Sequence, residues 1–251
     1  MSARGAVFGV DVGGSGVKGA PVDPVSGKLL ADRERFETPQ PATPEAVGRV
    51  ISDLLLEFSW KGPVGVTVPA VVQHGVVRTA ANIDDSWIGC RFVDQLRDEH
   101  GIEATVLNDA DAAGIAELRH GAGRDRDGVV FLATLGTGIG SALFNRGELV
   151  PNTEFGHFEL HGGEAEDYAA ASVRKAEGLS WSKWAARVDE YLRVIELLLR
   201  PDLIVLGGGV SRRAEKWIEH ITVETEVVPA ELQNNAGIVG AAMAAAAGSQ
   251  P

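Results

Sequence analysis

Cysteine is nearly missing. Cys90 is the only one in 251 residues. One cysteine excludes a disulfide within the chain and a cysteine-rich zinc site. Long apolar runs are missing as well. The run at 6–10 is too short for the core of a signal peptide, and no stretch approaches the ~18 apolar residues of a membrane helix. Basic residues are outnumbered, with 23 Lys and Arg against 35 Asp and Glu, for a net charge of −12. That balance argues against nucleic acid or an anionic membrane as a partner. These absences lead us to expect a soluble, cytoplasmic protein of one large domain or two of roughly 120 residues.

Glycine is abundant, at 31 residues, and clustered rather than spread. One cluster follows the apolar run at 6–10 and reads D-V-G-G-S-G-V-K-G over 11–19. A second reads T-L-G-T-G-I-G over 134–140, and a third is G-G-G at 207–209. Gly14, Gly16 and Gly19 match the dinucleotide fingerprint G-x-G-x-x-G, but that motif needs a helix directly after it. Pro21 and Pro24 disfavour one. The spacing instead predicts a hairpin whose turn exposes backbone N–H groups. Phe8 and Phe131, and Gly13 and Gly136, share an offset of 123, so the second cluster reads as a copy of the first.

Between the two hairpins lies V-L-N-D-A-D-A-A-G-I-A-E, residues 106–117. Val106 and Leu107 end a buried strand, and 110–120 form an alanine-rich helix closed by Gly121. Asn108 and Asp109 sit at the junction. There a polar side chain either caps the helix or faces a cleft. A carboxylate flanked by two phosphate-type turns is placed like the base of a kinase.

The rest of the chain follows the same logic. A third strand is expected over 28–36. Thr43 caps a helix with Pro44 in its first turn, and Val47, Val50, Ile51, Leu54, Leu55 and Phe58 form its core face. Strands follow at 62–69 and 103–107, with a short helix from Phe92 to near Gly101 between them. The second half adds a helix at 189–200, stopped by Pro201, a strand at 203–206 and a small-residue helix at 236–247.

Seven stretches, in order and spanning almost the whole chain, resemble the ROK family of sugar kinases and repressors within the actin-like ATPase superfamily. They are 11–20, 80–89 (A-A-N-I-D-D-S-W-I-G), 108–117, 134–142, 150–159 (V-P-N-T-E-F-G-H-F-E), 179–185 and 201–211. Within the family they are most similar to the bacterial polyphosphate glucokinases. The resemblance implies an α/β protein of two RNase H-like domains with an interdomain cleft. The first domain would be 1–108, completed by the helix 236–248, and the second 109–235. It also implies Mg²⁺, glucose as acceptor at its 6-hydroxyl, polyphosphate, ATP or both as donor, and a homodimer.

Residue by residue, Asp109 becomes the general base. Asn82, Asn108, Glu154, His157 and Glu166 become sugar ligands, since carboxylates and an imidazole suit vicinal hydroxyls. Asp11 would organise Mg²⁺ through water. Gly13, Gly14, Ser15, Gly16 and Lys18 from the first turn, and Thr134, Gly136, Thr137 and Gly138 from the second, would face phosphate. Gly207, Gly208 and Gly209 would seat a base or further phosphate. Many relatives place a cysteine-rich zinc loop after the glutamate–glycine–histidine segment. Here no cysteine lies near it, so zinc is not expected and the support of the His157 ring is open. Alternating Glu154, His157, Glu159 and His161 read as a strand with opposite faces, not one metal site. Trp181 and Trp184 read as core or dimer interface.

The segment 172–216 carries nine basic residues against six acids in an otherwise acidic chain, which suits a polyanionic donor. A sugar-responsive repressor would need a DNA-binding helix pair ahead of the first strand, for which a start near Ala6 leaves no room. An actin-like assembly ATPase would have no need of Glu154, His157 and an Asn-Asp base. An ATP-only hexokinase of the same family would use the same residues as a polyphosphate enzyme.

Overall fold

A computed structural model describes residues 5–80 and 83–248. The chain forms two compact units. The first comprises 1–116 and 235–251, and the second 117–234.

The first unit opens with β1 (Val7–Gly13) and β2 (Gly16–Asp23), an antiparallel hairpin turning at Gly14 and Ser15. The expected third strand is two pieces, β3 (Lys28–Leu29) and β4 (Glu34–Phe36), both paired with β2. Val22 pairs with Leu29 but Val17 with Phe36, so the register slips by two residues between them. Pro21 lies in that interval and has no N–H to donate to the ladder.

Helix α1 (Pro44–Glu57) starts as the sequence predicts, with the Thr43 hydroxyl accepting from the Ala46 N–H. It is followed by β5 (Val64–Val68), the small hairpin β6 (Val72–Gln73) and β7 (Val76–Val77), and α2 (Phe92–His100), which ends on left-handed Gly101. Then come β8 (Ala104–Asn108) and α3 (Asp109–His120). The division between the units falls inside α3, after Ala116. The sheet order is β3-β2-β1-β5-β8, antiparallel through the hairpin and parallel thereafter.

The second unit repeats this plan. Strands β9 (Val129–Leu135), β10 (Ile139–Asn145) and β11 (Glu148–Val150) form the antiparallel part. A two-residue-strand hairpin, β12 (Glu159–Leu160) with β13 (Gly163–Glu164), leads into α4 (Ala165–Ala169) and α5 (Ala171–Ala176). Helix α6 runs from Trp181 to Leu199, eight residues earlier than the sequence alone puts its start. The Ser180 hydroxyl accepts from the Lys183 N–H and begins it there. Strands β14 (Leu203–Gly207) and β15 (Val227–Pro229) complete the order β11-β10-β9-β14-β15. The pairing senses match those of the first sheet. Both units are thus RNase H-like. The core of this unit packs Trp184, Val188, Leu192 and Ile195 of α6 against Phe131, Ile204 and Leu206.

The chain then returns to the first unit as α7 (Ala236–Ala247). In β1 and β5, Phe8, Val10, Val64 and Val66 join the core with Val47, Ile51 and Leu54 of α1. The alternate residues Gly9 and Gly65 pair with each other and meet α7. A methyl group on Gly9 would overlap the Ile238 carbonyl, and one on Gly65 the Ala241 carbonyl. On its other side, Gly240 of α7 lies against the Ala112 carbonyl of α3. Buried on several sides, α7 needs small residues all round and has no polar face.

Gly65→Ala must therefore push a helix backbone off a sheet. It should cost about 1–3 kcal/mol, as overpacking generally does. Gly163→Ala, whose methyl meets nothing within 4 Å, should stay near wild type. Urea denaturation of both variants checks this.

Candidate active site

In the first unit, the face of β1 that carries Gly9 also carries Asp11 two residues on. Gly237, at the start of α7, packs against the Asp11 side chain. Asp11 accepts from the Thr67 hydroxyl at 3.1 Å and faces Lys18 Nζ at 3.3 Å. Each carboxylate oxygen keeps lone-pair capacity, so the group suits an outer-shell partner of a hydrated cation. In the turn beyond, the carbonyls are already engaged. Thr38 Oγ1 donates to Gly13 O at 2.5 Å, and the Arg35 guanidinium donates to Ser15 O. Arg35 also lies where a side chain at Gly16 would go. It is a cation at this turn that sequence reasoning misses, because it comes from the broken third strand.

At the junction of β8 and α3, Asn108 is buried and is the cap. Its Oδ1 accepts from the N–H groups of Ala110 (2.8 Å) and Asp111 (3.0 Å), and its Nδ2 donates to Ala70 O (3.2 Å). Asp109 is the first helical residue, partly exposed, with Oδ1 2.8 Å from the Ala110 nitrogen. Asn82 lies outside the described residues.

In the second unit, the turn Gly136, Thr137, Gly138 is held from below by α5. The Ser172 hydroxyl donates to Thr137 O at 2.6 Å and its N–H to Gly136 O at 3.0 Å. Thr134 pairs with Gly207 in the neighbouring strand. Gly208 has φ +83°, and a methyl there would overlap the Leu135 backbone, so only glycine lets the 207–209 segment lie on this turn. Gly136, Thr137 and Gly209 line a pocket of about 860 Å³. Of the nine basic residues in 172–216, three line it: Arg174, Lys175 and Arg213. No carboxylate among the described residues lines it. Arg187 and Arg193 are instead paired with Glu177 and Asp189. Trp184 is fully buried in the core, in an edge contact with Trp217. Trp181 borders the pocket, and the Arg174 guanidinium covers its ring at 3.8 Å.

The same unit holds Glu154, His157 and Glu166 together. Residues 154–157 form a turn closed by the His157 N–H on Glu154 O (3.1 Å), not the alternating strand read from sequence. Gly156 packs too tightly on the Ile139 carbonyl for a strand with side chains on both faces. The turn sets His157 Nε2 3.4 Å from Glu154 Oε2. His161 is drawn away to Glu190, at 2.7 Å. Glu166 is no solvated helix start. Its Oε2 accepts from the Ile139 N–H at 3.0 Å and fills the space a side chain at Gly138 would need. A fourth group, Glu164, is one that sequence reasoning misses. It contacts His157 Nδ1 at 2.8 Å.

Burial raises the pKa of Glu154, partly offset by the His157 charge. For His157, burial alone would lower the pKa. The hydrogen bond to Glu164 and the charges of Glu166, Glu164 and Glu154 outweigh it, and the net direction is upward. One ligand atom each from His157, Glu164 and Glu166 lie within 4.8 Å of one another.

The ROK family profile matches residues 7–171. The chain belongs to the ROK family. A ROK relative, the polyphosphate glucokinase of Mycobacterium tuberculosis, is 55% identical over 241 residues, covering 96% of this chain and 91% of its own. The crystal structure of the inorganic polyphosphate/ATP-glucomannokinase from Arthrobacter sp. strain KM superposes with a TM-score of 0.94 at 45% identity. It covers 97% of this chain and 99% of that one. A ROK glucokinase from Streptomyces griseus, solved with glucose and AMPPNP, gives a TM-score of 0.83 at 25% identity, covering 96% and 99%.

The chain's single cysteine, Cys90, lies far in sequence from the turn that carries His157, so the thiolates of a cysteine-rich zinc loop are missing there. Elemental analysis of purified protein should find no stoichiometric zinc. Chelation should leave the circular dichroism unchanged. One zinc per chain would contradict this.

Proposed function

We propose that this chain is a glucokinase that transfers a phosphoryl group from inorganic polyphosphate or ATP to the 6-hydroxyl of glucose. The observation that carries the reading is end-to-end similarity to the mycobacterial polyphosphate glucokinase, at 55% identity. The local geometry supports a role for each group.

Asp109 is the general base. It stands at the first position of α3, partly exposed, where its carboxylate accepts the proton of the attacking hydroxyl. Glu154, His157 and Glu166 bind the remaining hydroxyls, with Asn108 offering its second amide hydrogen and Asn82 adding a contact. Phosphoryl transfer needs positioning and charge neutralisation more than covalent chemistry. Gly13, Gly14, Ser15 and Gly16 present N–H groups to phosphate, and Lys18 adds charge. Thr137 and Gly138 do the same from the second turn, beside 207–209, while Thr134 in β9 and Gly136, whose N–H donates to Gly138 O at 2.9 Å, shape that turn. Asp11 is the residue that would hold Mg²⁺, and the ion when bound would supply charge neutralisation on the donor phosphates.

The pocket beside Gly209 receives the donor. Among the described residues, three cations and no carboxylate line it, which suits a chain of phosphates in a protein that is acidic as a whole. Arg174 covers the Trp181 ring, so that ring is not an open platform for a nucleotide base. The reading includes two domains (1–108 completed by 236–248, and 109–235), a homodimer from the family resemblance, and a cytoplasmic location. No helix among the described residues is long and apolar enough to cross a membrane.

Asp109→Asn keeps the oxygen that faces Ala110 and should keep the fold by circular dichroism. It should lose about 10²–10⁴ in turnover on glucose. A coupled glucose 6-phosphate assay measures this, and near-normal turnover would remove Asp109 from the mechanism. In the same assay, Lys175→Glu and Arg213→Glu should each raise the KM for long polyphosphate several-fold. The KM for ATP should rise less, and that for glucose should not move. The polyphosphate KM of wild type should also climb with salt. Absence of polyphosphate turnover in wild type would leave an ATP-only hexokinase.

A further inference from the structure

The hairpin of β12 and β13 has strands of only two residues, too short to stand alone. It is fixed at both ends. At its tip, His161 and Gly162 adopt left-handed φ of 56° and 82°, and His161 Nε2 meets Glu190 Oε2 at 2.7 Å. Tyr168 of α4 donates to the other oxygen of Glu190, and its ring meets that of His161 at 4.7 Å in a tilted contact. At the open end, Glu159 pairs with Glu164, and the Ala165 N–H donates to Phe158 O at 3.0 Å. The Glu166 N–H donates to Gly156 O, which ties the start of α4 to the turn that carries His157. The hairpin therefore delivers Glu164 to a fixed place, with Oε2 2.8 Å from His157 Nδ1.

An ionised carboxylate can only accept a hydrogen bond, so Nδ1 must carry the proton. That assigns the opposite ring atom, Nε2, to whatever lies on the Glu154 side, where Glu154 Oε2 is 3.4 Å away. Without Glu164 the imidazole, with about a third of its side-chain surface exposed, is free to turn about χ2 and exchange its two nitrogens.

We propose that Glu164 is a positioning residue for the hexose: by holding Nδ1–H it fixes the plane and tautomer of His157 and leaves Nε2 to meet a sugar hydroxyl. This rests on the reading of His157 as a sugar ligand. Glu164 touches His157 and not the reacting atoms, so it acts on acceptor binding rather than on transfer. Glu154, Glu164 and Glu166 are the charged groups that act on the ring. Removing Glu164 leaves burial less opposed, so the imidazolium should give up its proton at lower pH than in wild type.

The test compares Glu164→Ala, Glu164→Gln and His157→Ala with wild type, in steady-state kinetics and in ¹⁵N spectra of the histidine ring. Glu164→Ala should raise the KM for glucose roughly tenfold, as loss of a ring-orienting partner does elsewhere. The kcat and the donor KM should stay close to wild type. Glu164→Gln, whose amide oxygen can still accept from Nδ1–H, should recover much of the glucose KM. Both Glu164 variants should lower the His157 pKa. The neutral ring should be protonated on Nδ1 in wild type, and that preference should be lost in Glu164→Ala. An unchanged glucose KM and tautomer in Glu164→Ala would overturn the inference. So would a stoichiometric metal ion that disappears with Glu164. If His157→Ala itself leaves the glucose KM unchanged, the sugar-ligand reading fails. If His157→Ala raises it and Glu164→Ala does not, only the positioning role fails.

Discussion

The first unit depends on how closely one helix can approach a sheet. Helix α7 lies against β1 and β5 where those strands have glycine, and it has no side chain larger than isoleucine or methionine with which to stand off. The strand period of two then has a consequence for the chemistry. Gly9 and Asp11 share a face, so the contact that seats α7 also brings Gly237 up to the Asp11 carboxylate. Thr67, the cross-strand neighbour of Asp11, donates to it from β5. Packing in the core thereby decides where the proposed Mg²⁺ partner sits. A side chain at Gly65 would disturb both.

Each unit solves the same problem at its hairpin in a different way. A turn proposed to present N–H groups to phosphate has carbonyls that need partners of their own. In the first turn, Thr38 and Arg35 supply the donors. In the second, a single residue, Ser172, supplies both a hydroxyl and an N–H. The two sheets share strand order and pairing sense, while these supports share nothing in sequence. Such a pattern explains why the internal repeat is legible only as a hairpin with glycines at one offset.

Much of the fold was legible because local signals agreed with tertiary packing. Thr43 with Pro44 marked the start of α1, Gly101 the end of α2, and the alanine run gave α7 its limits at 236 and 247. The failures have physical causes. Helix α6 extends eight residues further than its apolar spacing suggests because its start at Ser180 lies in a tryptophan-rich stretch whose buried face includes Trp184. The third strand broke because Pro21 interrupts the ladder on its partner. Around the site, residue types were legible and contacts were not. Glu154, His157 and Glu166 lie together, but through a turn at 154–157 that alternation disguised as a strand. Glu164 was invisible because a hairpin of two-residue strands leaves no periodicity to read. Arg35 reaches the first turn from a strand only three residues long.

The pocket beside Gly209, proposed for the donor, would let a chain of net charge −12 hold a polyanion. Long-range repulsion from the whole molecule is screened beyond a Debye length of about 8 Å at physiological salt. Within that distance, what matters is the lining, and among the described residues the lining has three cations and no carboxylate. Glu177, the next residue after the lining residue Ala176, is engaged elsewhere, with Arg187. Arg174 then does two things at once. Its guanidinium lies flat on Trp181, a geometry that strengthens as water is excluded. It also donates to the Leu179 carbonyl, which fixes its height in the pocket. A base entering to stack on that ring would first have to displace a cation from it. A phosphate chain would meet the cation directly. The arrangement therefore favours charge over an aromatic plane as the feature recognised in the donor, and it does so with residues from a single unit.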